Sequence, residues 1–457
     1  MQLSLVLFFA LLFTAGNIAQ EKDRRTLILL LMTDMQDREL VLGKLWASLL
    51  NVGVLVAISL PAFLLVHAFG GVTITQILWA VALCTAAAFA AGSWGALVAF
   101  WREKTFQTLA IGVLGMVLYW GVINTAILVV GSDSTTGQWL SIFDPYQTLF
   151  VLLSPLTNYT ELGPVRVTAL GPVLAMVGIG IVLNLVTILR LRVWNPSRFI
   201  YLQTDEDEKA KVRKAAARSV WSNPVLWREI RTRAYGRKMI FIKLAYFVLA
   251  GFVLSSLLGM SPAEMASSEK ILGMFSLPAF AFIALSIISL MLINAQAVTS
   301  LTNERDYKTL ELLLVTDISA KEFVFGKLGG ALYNTKELVL VPIALIVWFA
   351  YQGFVSIENM TYLLASFVTL VCFGATLGLH SGLSFDNSRS AIANSLGTIF
   401  FLFIGIFIFM MLLVEASSSF VLQFQSFIVF IGVGSIALYA SLRHKIPSGA
   451  LTIAAFT

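Results

Sequence analysis

Long apolar stretches recur along the whole chain, and they restrict its fold more than any other feature of the sequence. Each contains about 20 mostly apolar residues, the length that an α-helix needs to cross a hydrocarbon core of about 30 Å. A single segment in lipid must satisfy its backbone hydrogen bonds internally, as a helix does. Charged residues form only 12% of the sequence, about half of the usual share in soluble domains. The sequence therefore predicts an all-α polytopic membrane protein.

We expect about 11 spans, five in the first half of the chain and six in the second. The first five are residues 1–18, 45–66, 77–100, 106–130 and 167–189. The other six are residues 239–258, 272–297, 328–354, 362–383, 391–414 and 427–442. Residues 1–18 have no basic start and run directly into charged residues, which favours a retained span over a cleaved signal peptide.

The basic residues predict the orientation of the spans. Of the 31 Lys and Arg residues, 27 fall in loops on one face, and basic loops stay in the cytoplasm. The N-terminus is then outside and the C-terminus inside, in a membrane expected to be the bacterial inner membrane. The net charge of +6 is too small and too interrupted for a nucleic-acid surface. The scattered cysteines and histidines favour neither a disulfide framework nor a metal site.

A charged, leucine-rich segment occurs twice in the chain. Residues 21–45 and 304–328 align without gaps at an offset of 283 (304 minus 21), with 14 of 25 positions identical. Weaker similarity continues into the next span, where Asn51 aligns with Asn334. Six spans separate equivalent points, and an even number gives both copies the same orientation.

The repeat predicts how the chain is divided. We expect a parallel tandem repeat, with a first half of five spans at residues 1–190 and a second half of six spans at 223–457. A cytoplasmic linker, residues 191–222, would join the halves, since its acidic and basic runs are typical of a solvated connector.

Each copy of the repeated segment places an apolar strip in a loop that the charge rule assigns to the cytoplasm. The pairs Thr33-Asp34 and Thr316-Asp317 resemble the start of a following helix, because short oxygen-bearing side chains cap free N–H groups. Glu39 and Glu322 would then lie in the early turns of that helix. The strip fits an amphipathic helix on the membrane surface, but its duplication favours a docking site for a two-fold symmetric partner.

A second cytoplasmic segment, residues 223–238, precedes the sixth span. Asn223 can cap a helix and Pro224 suits its first position. The mixture of apolar and basic residues predicts an interfacial helix that enters the membrane, with a plain charged linker as the alternative.

These two segments resemble one family of transporters. The pattern Glu-x-Asp-x-Arg/Lys-Thr-Leu-x-Leu-Leu-Leu-x-Thr-Asp, then Glu-x-Val-x-Gly-Lys-Leu, is similar to the loop after the second span in permeases of the type-2 export family of ATP-binding-cassette (ABC) transporters. Asn-Pro-Val-Leu-Trp-Arg-Glu resembles the elbow helix ahead of the first span in that family. The similarity covers nearly the whole chain.

The resemblance implies a permease whose coupling helices rest on a separate ATPase subunit, in two copies. The implied coupling residues are Glu21, Arg25, Thr26, Leu27, Leu30, Thr33, Asp34, Glu39, Gly43, Lys44, Glu304, Lys308, Thr309, Leu310, Leu313, Thr316, Asp317, Glu322, Gly326 and Lys327. The implied elbow residues are Asn223, Pro224, Trp227, Arg228 and Arg231. ATP and Mg²⁺ would bind to the partner, and this chain would bind no cofactor. The resemblance leaves open whether further membrane or extracytoplasmic subunits take part.

The chain itself is not expected to be an enzyme. Its two Gly-Lys-Leu motifs lack the upstream glycine and the Ser or Thr of a phosphate-binding loop. Met1 aligns with Ala284, inside a span of the second half, whereas that half begins its elbow at Asn223. We therefore expect the first half to lack about 61 residues (284 minus 223), through a short gene model or as a natural eleven-span variant.

Polar residues inside spans are candidates for a substrate path, because they are costly in lipid. The sequence offers Asn51, Asn334, Lys336 and Glu337. Hydrogen bonds between helices explain the asparagines equally well, and Lys336 can extend to the interface. An external apolar stretch at residues 146–153 fits either a re-entrant cap or a plain loop.

Two other classes of protein fit less well. An ion-coupled secondary transporter normally has buried carboxylates in several spans, whereas only Glu337 qualifies here. An integral membrane enzyme needs a cluster of reactive side chains at one depth, and the histidines His67, His380 and His444 are dispersed. The family handles drugs, lipids, glycans, ions and peptides, and no residue selects among these substrates.

Overall fold

The computed structural model describes residues 2–24, 26–70, 72–131, 134–153, 170–195, 221–231, 239–258, 276–415 and 420–442. Of the described residues, 89% are helical and none lies in a β-strand. The all-α prediction is therefore confirmed. The chain divides into two compact units, Met1–Ala217 (unit 1) and Arg218–Thr457 (unit 2). The assignment of these units to two permease halves stays a prediction.

Unit 1 contains eight helices within the described residues. They are α1 (Gln2–Asp23), α2 (Thr26–Leu31), α3 (Asp37–Ala68), α4 (Ile74–Trp101), α5 (Thr105–Val130), α6 (Thr135–Ser141), α7 (Pro145–Leu153) and α8 (Leu170–Trp194). α1 packs against α3, α4 and α5, and α8 packs on α4. Small residues let α1 and α4 approach closely, because a Cβ built on Gly95 would lie 3.0 Å from the Leu11 carbonyl oxygen.

Unit 2 contains nine helices within the described residues. They are α9 (Pro224–Arg231), α10 (Met239–Leu258), α11 (Leu277–Asp306), α12 (Thr309–Leu314), α13 (Ala320–Asn334), α14 (Lys336–Tyr351), α15 (Ile357–Ser384), α16 (Ser388–Glu415) and α17 (Phe420–Leu442). α11 is the central helix and packs against α15, α16 and α14. A Cβ on Gly378 of α15 would lie 2.8 Å from the Asn294 carbonyl oxygen, as at the equivalent glycine of unit 1.

Eight helices are long and apolar enough to cross a membrane, counting only described residues. They are α1, α3, α4, α5, α8, α11, α15 and α16. α13 and α14 together would make a ninth span, and the apolar part of α10, Ile240–Ser255, is shorter. The prediction of a polytopic membrane protein is confirmed, while the count of 11 spans stays a prediction.

The offset of the sequence repeat reappears in the helix boundaries. α12 begins and ends at the positions equivalent to the two ends of α2, and the two ends of α15 are equivalent to those of α4. α13 begins at the position equivalent to the start of α3, and α14 ends at the position equivalent to the end of α3. The alignment of residues 21–45 with 304–328 therefore extends through further helices without an insertion.

One span is continuous in unit 1 and broken in unit 2. Thr335 separates α13 from α14, and the two helices are bent by 61°. The predicted span at residues 328–354 is therefore a bent helix pair. Pro342 lies inside α14 and does not mark the break.

Two charged residues follow the break. They are Lys336 and Glu337, at positions where unit 1 has Gly53 and Val54. The Glu337 carboxylate accepts a hydrogen bond from Lys243 Nζ of α10 at 2.6 Å. A charged group in an apolar region is stabilised by such a partner, and this pair ties the start of α14 to α10.

The apolar stretch at residues 146–153 lies in the short helix α7, which packs on α4. The Tyr146 hydroxyl donates to Ser4 Oγ at 3.1 Å, and Gln76 Nε2 donates to the Leu152 carbonyl oxygen at 3.0 Å. α7 is therefore tied to the first turns of α1 and α4. The segment is a helix and not a plain loop, and its role as a cap stays a prediction.

Candidate functional site

The repeated segment of unit 1 folds as the short helix α2 between α1 and α3. Thr26 Oγ1 donates to the Glu21 carbonyl oxygen at 3.2 Å, which ties α2 to the end of α1. Thr33 Oγ1 donates to the Leu30 carbonyl oxygen at 2.6 Å and satisfies a free group at the end of α2. Arg25 lies outside the described residues.

The repeated segment of unit 2 makes the same bonds around α12. Thr309 Oγ1 donates to the Glu304 carbonyl oxygen at 3.1 Å, and Thr316 Oγ1 donates to the Leu313 carbonyl oxygen at 2.5 Å. Lys308, directly before α12, adopts a left-handed backbone conformation with φ of 56°. The sequence repeat is thus a repeat of local structure.

The predicted helix starts at Thr33-Asp34 and Thr316-Asp317 are wrong. The N-cap residues are Gln36 and Ser319, three residues beyond each threonine. Both threonine hydroxyls donate back to the preceding short helix and do not cap the following one. Both aspartates are exposed in the turn between the helices.

Glu39 and Glu322 lie in the first turn of the following helix, as predicted. The Glu39 carboxylate accepts from the Gln36 backbone N–H at 3.0 Å, and Glu322 accepts from that of Ser319 at 3.0 Å. Ser319 Oγ also donates to Glu322 at 2.7 Å. Both bonds lower the pKa of the Glu322 carboxyl, and the bond from the Ser319 hydroxyl has the larger effect. Glu322 precedes the predicted span.

The apolar strip of α2 has a buried side and an exposed side. Leu27 is buried, and Leu30 and Leu31 are half-buried against the same core cluster. Leu29 and Met32 point the other way and are 65% and 70% exposed.

α12 has the same two sides. Leu310 and Leu313 pack against a core cluster of unit 2, whereas Leu312 and Val315 are 70% and 87% exposed. In the alignment of the repeat, these last two residues are equivalent to the exposed pair of α2. Each unit therefore carries one exposed apolar pair at the same place in its fold.

The span before each short helix is held by equivalent bonds. Lys22 Nζ donates to two carbonyl groups at the end of α4, and the guanidinium of Arg305 donates to two carbonyl groups at the end of α15. Asp23 and Asp306, the next residues, accept from the hydroxyls that begin α5 and α16. The short helices are therefore fixed to several spans at once.

The lysine of each Gly-Lys-Leu motif pairs with the glutamate that starts the repeated segment. Lys44 Nζ contacts the Glu21 carboxylate, and Lys327 Nζ lies 2.6 Å from Glu304 Oε1. The side chain of Lys327 is 1% exposed, whereas that of Lys44 is 29% exposed. The Gly-Lys-Leu motif thus supplies the lysine of an ion pair in each unit, and that lysine is more deeply buried in unit 2.

Helix α9 covers the ion pair of unit 2. Asn223 Oδ1 accepts from the backbone N–H three residues on at 2.9 Å, and Pro224 is the first helical residue, so the predicted cap is confirmed. Asn223 Nδ2 also donates to the Glu322 carbonyl oxygen at 2.9 Å. Trp227 is half-buried and Arg231 is exposed at the end of the helix.

Four charged side chains meet where α9 lies on α11 and α13. Glu229 Oε1 lies 2.7 Å from Lys327 Nζ and 3.2 Å from the Arg228 guanidinium, which also contacts Glu304. Two positive and two negative charges balance in this network. We call Arg228, Glu229, Glu304 and Lys327 the charge cluster.

Glycines let α9 approach α13. A Cβ on Gly326 would lie 2.9 Å from Val225 Cβ, and a Cβ on Gly330 would lie 2.5 Å from Glu229 Cβ. A Cβ on Gly43, which is equivalent to Gly326, would meet nothing within 4 Å. The same motif glycine is thus buried under a helix in unit 2 and has open space around it in unit 1.

The predicted path residues of unit 2 lie together at the bend. Asn334 is half-buried, Lys336 is exposed with Nζ 4.6 Å from the centre of the Tyr333 ring, and Glu337 is paired with α10. Asn51 is exposed on α3 of unit 1. In the part of the chain that the structure describes, no group of three or more His, Cys, Asp or Glu could hold a metal ion.

Sequence reasoning missed Glu229, and it proposed the whole apolar strips of α2 and α12 for docking without separating their exposed residues from their buried ones. Helical spacing within the apolar strip could have separated the exposed positions from the buried ones, because residues three apart share a face. Glu229 gave no such signal, since its partner Lys327 is distant in sequence.

Comparison with known proteins gives a family match for the first part of the chain. Residues 1–189 match the family described as ABC-2 family transporter protein. The matched region begins with α1 and reaches α8, all within unit 1. No curated protein and no solved structure matches the chain. The match supports an ABC-type membrane permease and an integral membrane location.

Proposed function

We propose that the chain is the membrane subunit of an ABC exporter and that it contains two permease halves in tandem. The family match covers residues 1–189 of unit 1, and the common offset of the helix boundaries supports the same role for unit 2. The N-terminus would then face outside and the cytoplasmic segments would include α2, α9 and α12.

In this proposal α2 and α12 are coupling helices, and each docks one copy of a separate ATPase subunit. The observation that carries it is the exposed apolar pair of α2, Leu29 and Met32, which recurs as Leu312 and Val315. Exposed apolar side chains are stabilised when a partner covers them, by about 1.5 to 3 kcal/mol for a fully buried large side chain. Two such pairs suit a two-fold symmetric partner.

The bonds around the short helices would transmit the movement. ATP and Mg²⁺ bind on the ATPase subunits, and their closure draws the two coupling helices together. Because each short helix is tied to the ends of several spans, its displacement moves those spans as a group. The charge cluster adds α9 to the group in unit 2. Asn51, Asn334, Lys336 and Glu337 stay candidates for contact with the substrate.

Co-purification tests the docking role. The chain would be co-expressed with the ABC ATPases of the same genome that lack a membrane domain. Replacing Leu29, Met32, Leu312 and Val315 by serine should remove the ATPase from the purified complex. Replacement of Phe69 and Tyr351, which are similarly exposed at the far ends of α3 and α14, is the matched control and should leave binding intact. Unchanged binding after the fourfold replacement would reject the coupling role.

A further inference from the structure

Helix α11 carries a line of polar residues on one side. Ser289, Gln296 and Ser300 follow at spacings of seven and four, which places them on one face. Ser289 Oγ lies 2.6 Å from the Tyr246 hydroxyl of α10, and the Ser300 carbonyl oxygen accepts from Lys327 Nζ of α13 at 3.3 Å. Helices α10 and α13 therefore cover this face on either side of Gln296.

Gln296 has no such contact. Its side chain is 0% exposed, and neither Oε1 nor Nε2 has a hydrogen-bond partner among the described residues. A buried amide without hydrogen bonds is costly and is therefore normally satisfied. Unit 1 has the apolar residue Phe13 at the equivalent position.

The register of the helices brings a second polar group to the same level. Lys327 contacts both Ser300 and Glu304, so it lies level with the turn between them. α13 runs opposite to α11, so a residue two turns after Lys327 on α13 lies level with the residues about two turns before the Ser300–Glu304 turn on α11. On α13 that residue is Asn334, and on α11 the corresponding turn contains Gln296. Asn334 Nδ2 is also buried and has no partner in the described residues.

The buried charges around these residues are neutralised in pairs, whereas Lys336 is exposed. Lys243 and Glu337 form an ion pair one turn beyond Asn334, and the charge cluster around Lys327 balances two positive and two negative groups. Among the described residues here, the buried atoms without a hydrogen-bond partner are Gln296 Oε1 and Nε2, Asn334 Nδ2 and Glu337 Oε2, that is two amide N–H groups as donors and two oxygens as acceptors. The charge of Glu337 is already balanced by Lys243, so a group that both donates and accepts hydrogen bonds fits these atoms better than an ion does.

We propose that Gln296 and Asn334 line a binding site in unit 2 for a small uncharged group that both donates and accepts hydrogen bonds, a hydroxyl or an amide. The site has no counterpart at the equivalent positions of unit 1, where Phe13 is apolar and Asn51 is exposed. The argument uses neither the family match nor the docking of an ATPase, and its failure would leave both untouched.

Cysteine labelling tests whether the site admits such a group. Cys84 and Cys372 are first replaced by serine, and Gln296→Cys or Asn334→Cys is introduced, with Phe13→Cys as the matched control. Methyl methanethiosulfonate, an uncharged reagent, should label residues 296 and 334 about tenfold faster than residue 13. Charged thiosulfonates should label 296 and 334 poorly, after normalisation to an exposed Phe69→Cys variant.

Acetamide and glycerol serve as the competing ligands. Each should slow labelling of Asn334→Cys but not of Phe69→Cys, and an added Gln296→Leu should remove that protection. If Gln296→Cys does not yield folded protein, the Asn334→Cys reporter carries the test alone. Three results would each overturn the proposal. Labelling no faster than at residue 13 would indicate a dry core, and equal labelling by charged reagents would indicate an open aqueous vestibule. Labelling that acetamide and glycerol do not slow would indicate a site for water only.

Discussion

At the scale of single residues, the two equivalent lysines have different environments. Lys327 is buried between two carboxylates, whereas Lys44 has one carboxylate partner and is partly exposed. Replacing Lys327 by methionine leaves Glu229 and Glu304 together without their shared buried cation, and we expect a loss of about 3 to 5 kcal/mol in stability. Lys44→Met should cost less than about 1 kcal/mol. Thermal unfolding of the purified protein in detergent checks both values, and equal losses would contradict the role of burial.

The sequence identified both lysines through the repeat but could not separate them. The shared residue type of Lys44 and Lys327 does not indicate how deeply each side chain is buried. The burial of Lys327 depends on α9, which is distant from it in the sequence. The pairing of each lysine with its glutamate was equally hidden, since a short helix and two turns intervene. The exposed positions Leu29 and Leu312 were within reach of helical periodicity alone.

At the scale of helices, the contact between α9 and α13 depends on glycine. Gly330→Ala places a Cβ 2.5 Å from Glu229 Cβ, on a helix rather than on a flexible side-chain end. We expect α9 to shift and the protein to lose about 1 to 3 kcal/mol. Gly43→Ala, in open space within a helix, should be neutral or stabilise by up to about 1 kcal/mol. Denaturation midpoints of the two variants give the comparison, and a neutral Gly330→Ala would mean that α9 is not packed on α13.

The bend between α13 and α14 leads to a second prediction at the scale of helices. If the Lys243–Glu337 ion pair holds the bend, Lys243→Met should let α14 align with α13, so that the two helices become straighter, like α3. Spin labels at Leu328 and Tyr351 would report this as a longer mean distance. Lys336→Met, which leaves the pair intact, is the control, and an unchanged distance in Lys243→Met would assign the bend to packing alone.

Helix existence was predictable from the apolar stretches, but two boundaries were not. Thr33 and Thr316 are good capping residues, yet their hydroxyls bond to the preceding helix, and the N-cap of the next helix lies three residues later. Glu337, two residues after the break at Thr335, pairs with Lys243 in another helix. Local sequence favours both predicted structures, and contacts between elements decide against them.

At the scale of the whole molecule, the two units repeat one arrangement of helices with unequal detail. Their boundaries keep the offset through α4 and α15, although identity is high only in the short repeated segment. A run of identical residues at a turn between helices, against divergent membrane helices, is expected if the turn contacts the same partner in both units. Lipid-facing positions need only be apolar and can diverge.

The tandem proposal predicts the number of ATPase subunits bound. Each exposed pair should contribute about 3 to 5 kcal/mol when buried, so replacing one pair by serine should weaken one site about 100-fold or more. Leu29→Ser with Met32→Ser, or Leu312→Ser with Val315→Ser, should each reduce the complex from two ATPase copies to one, measured by native mass spectrometry. Loss of both copies from a single unit's replacement would indicate that the ATPase binds only as a preformed dimer; retention of both would place the docking surface elsewhere.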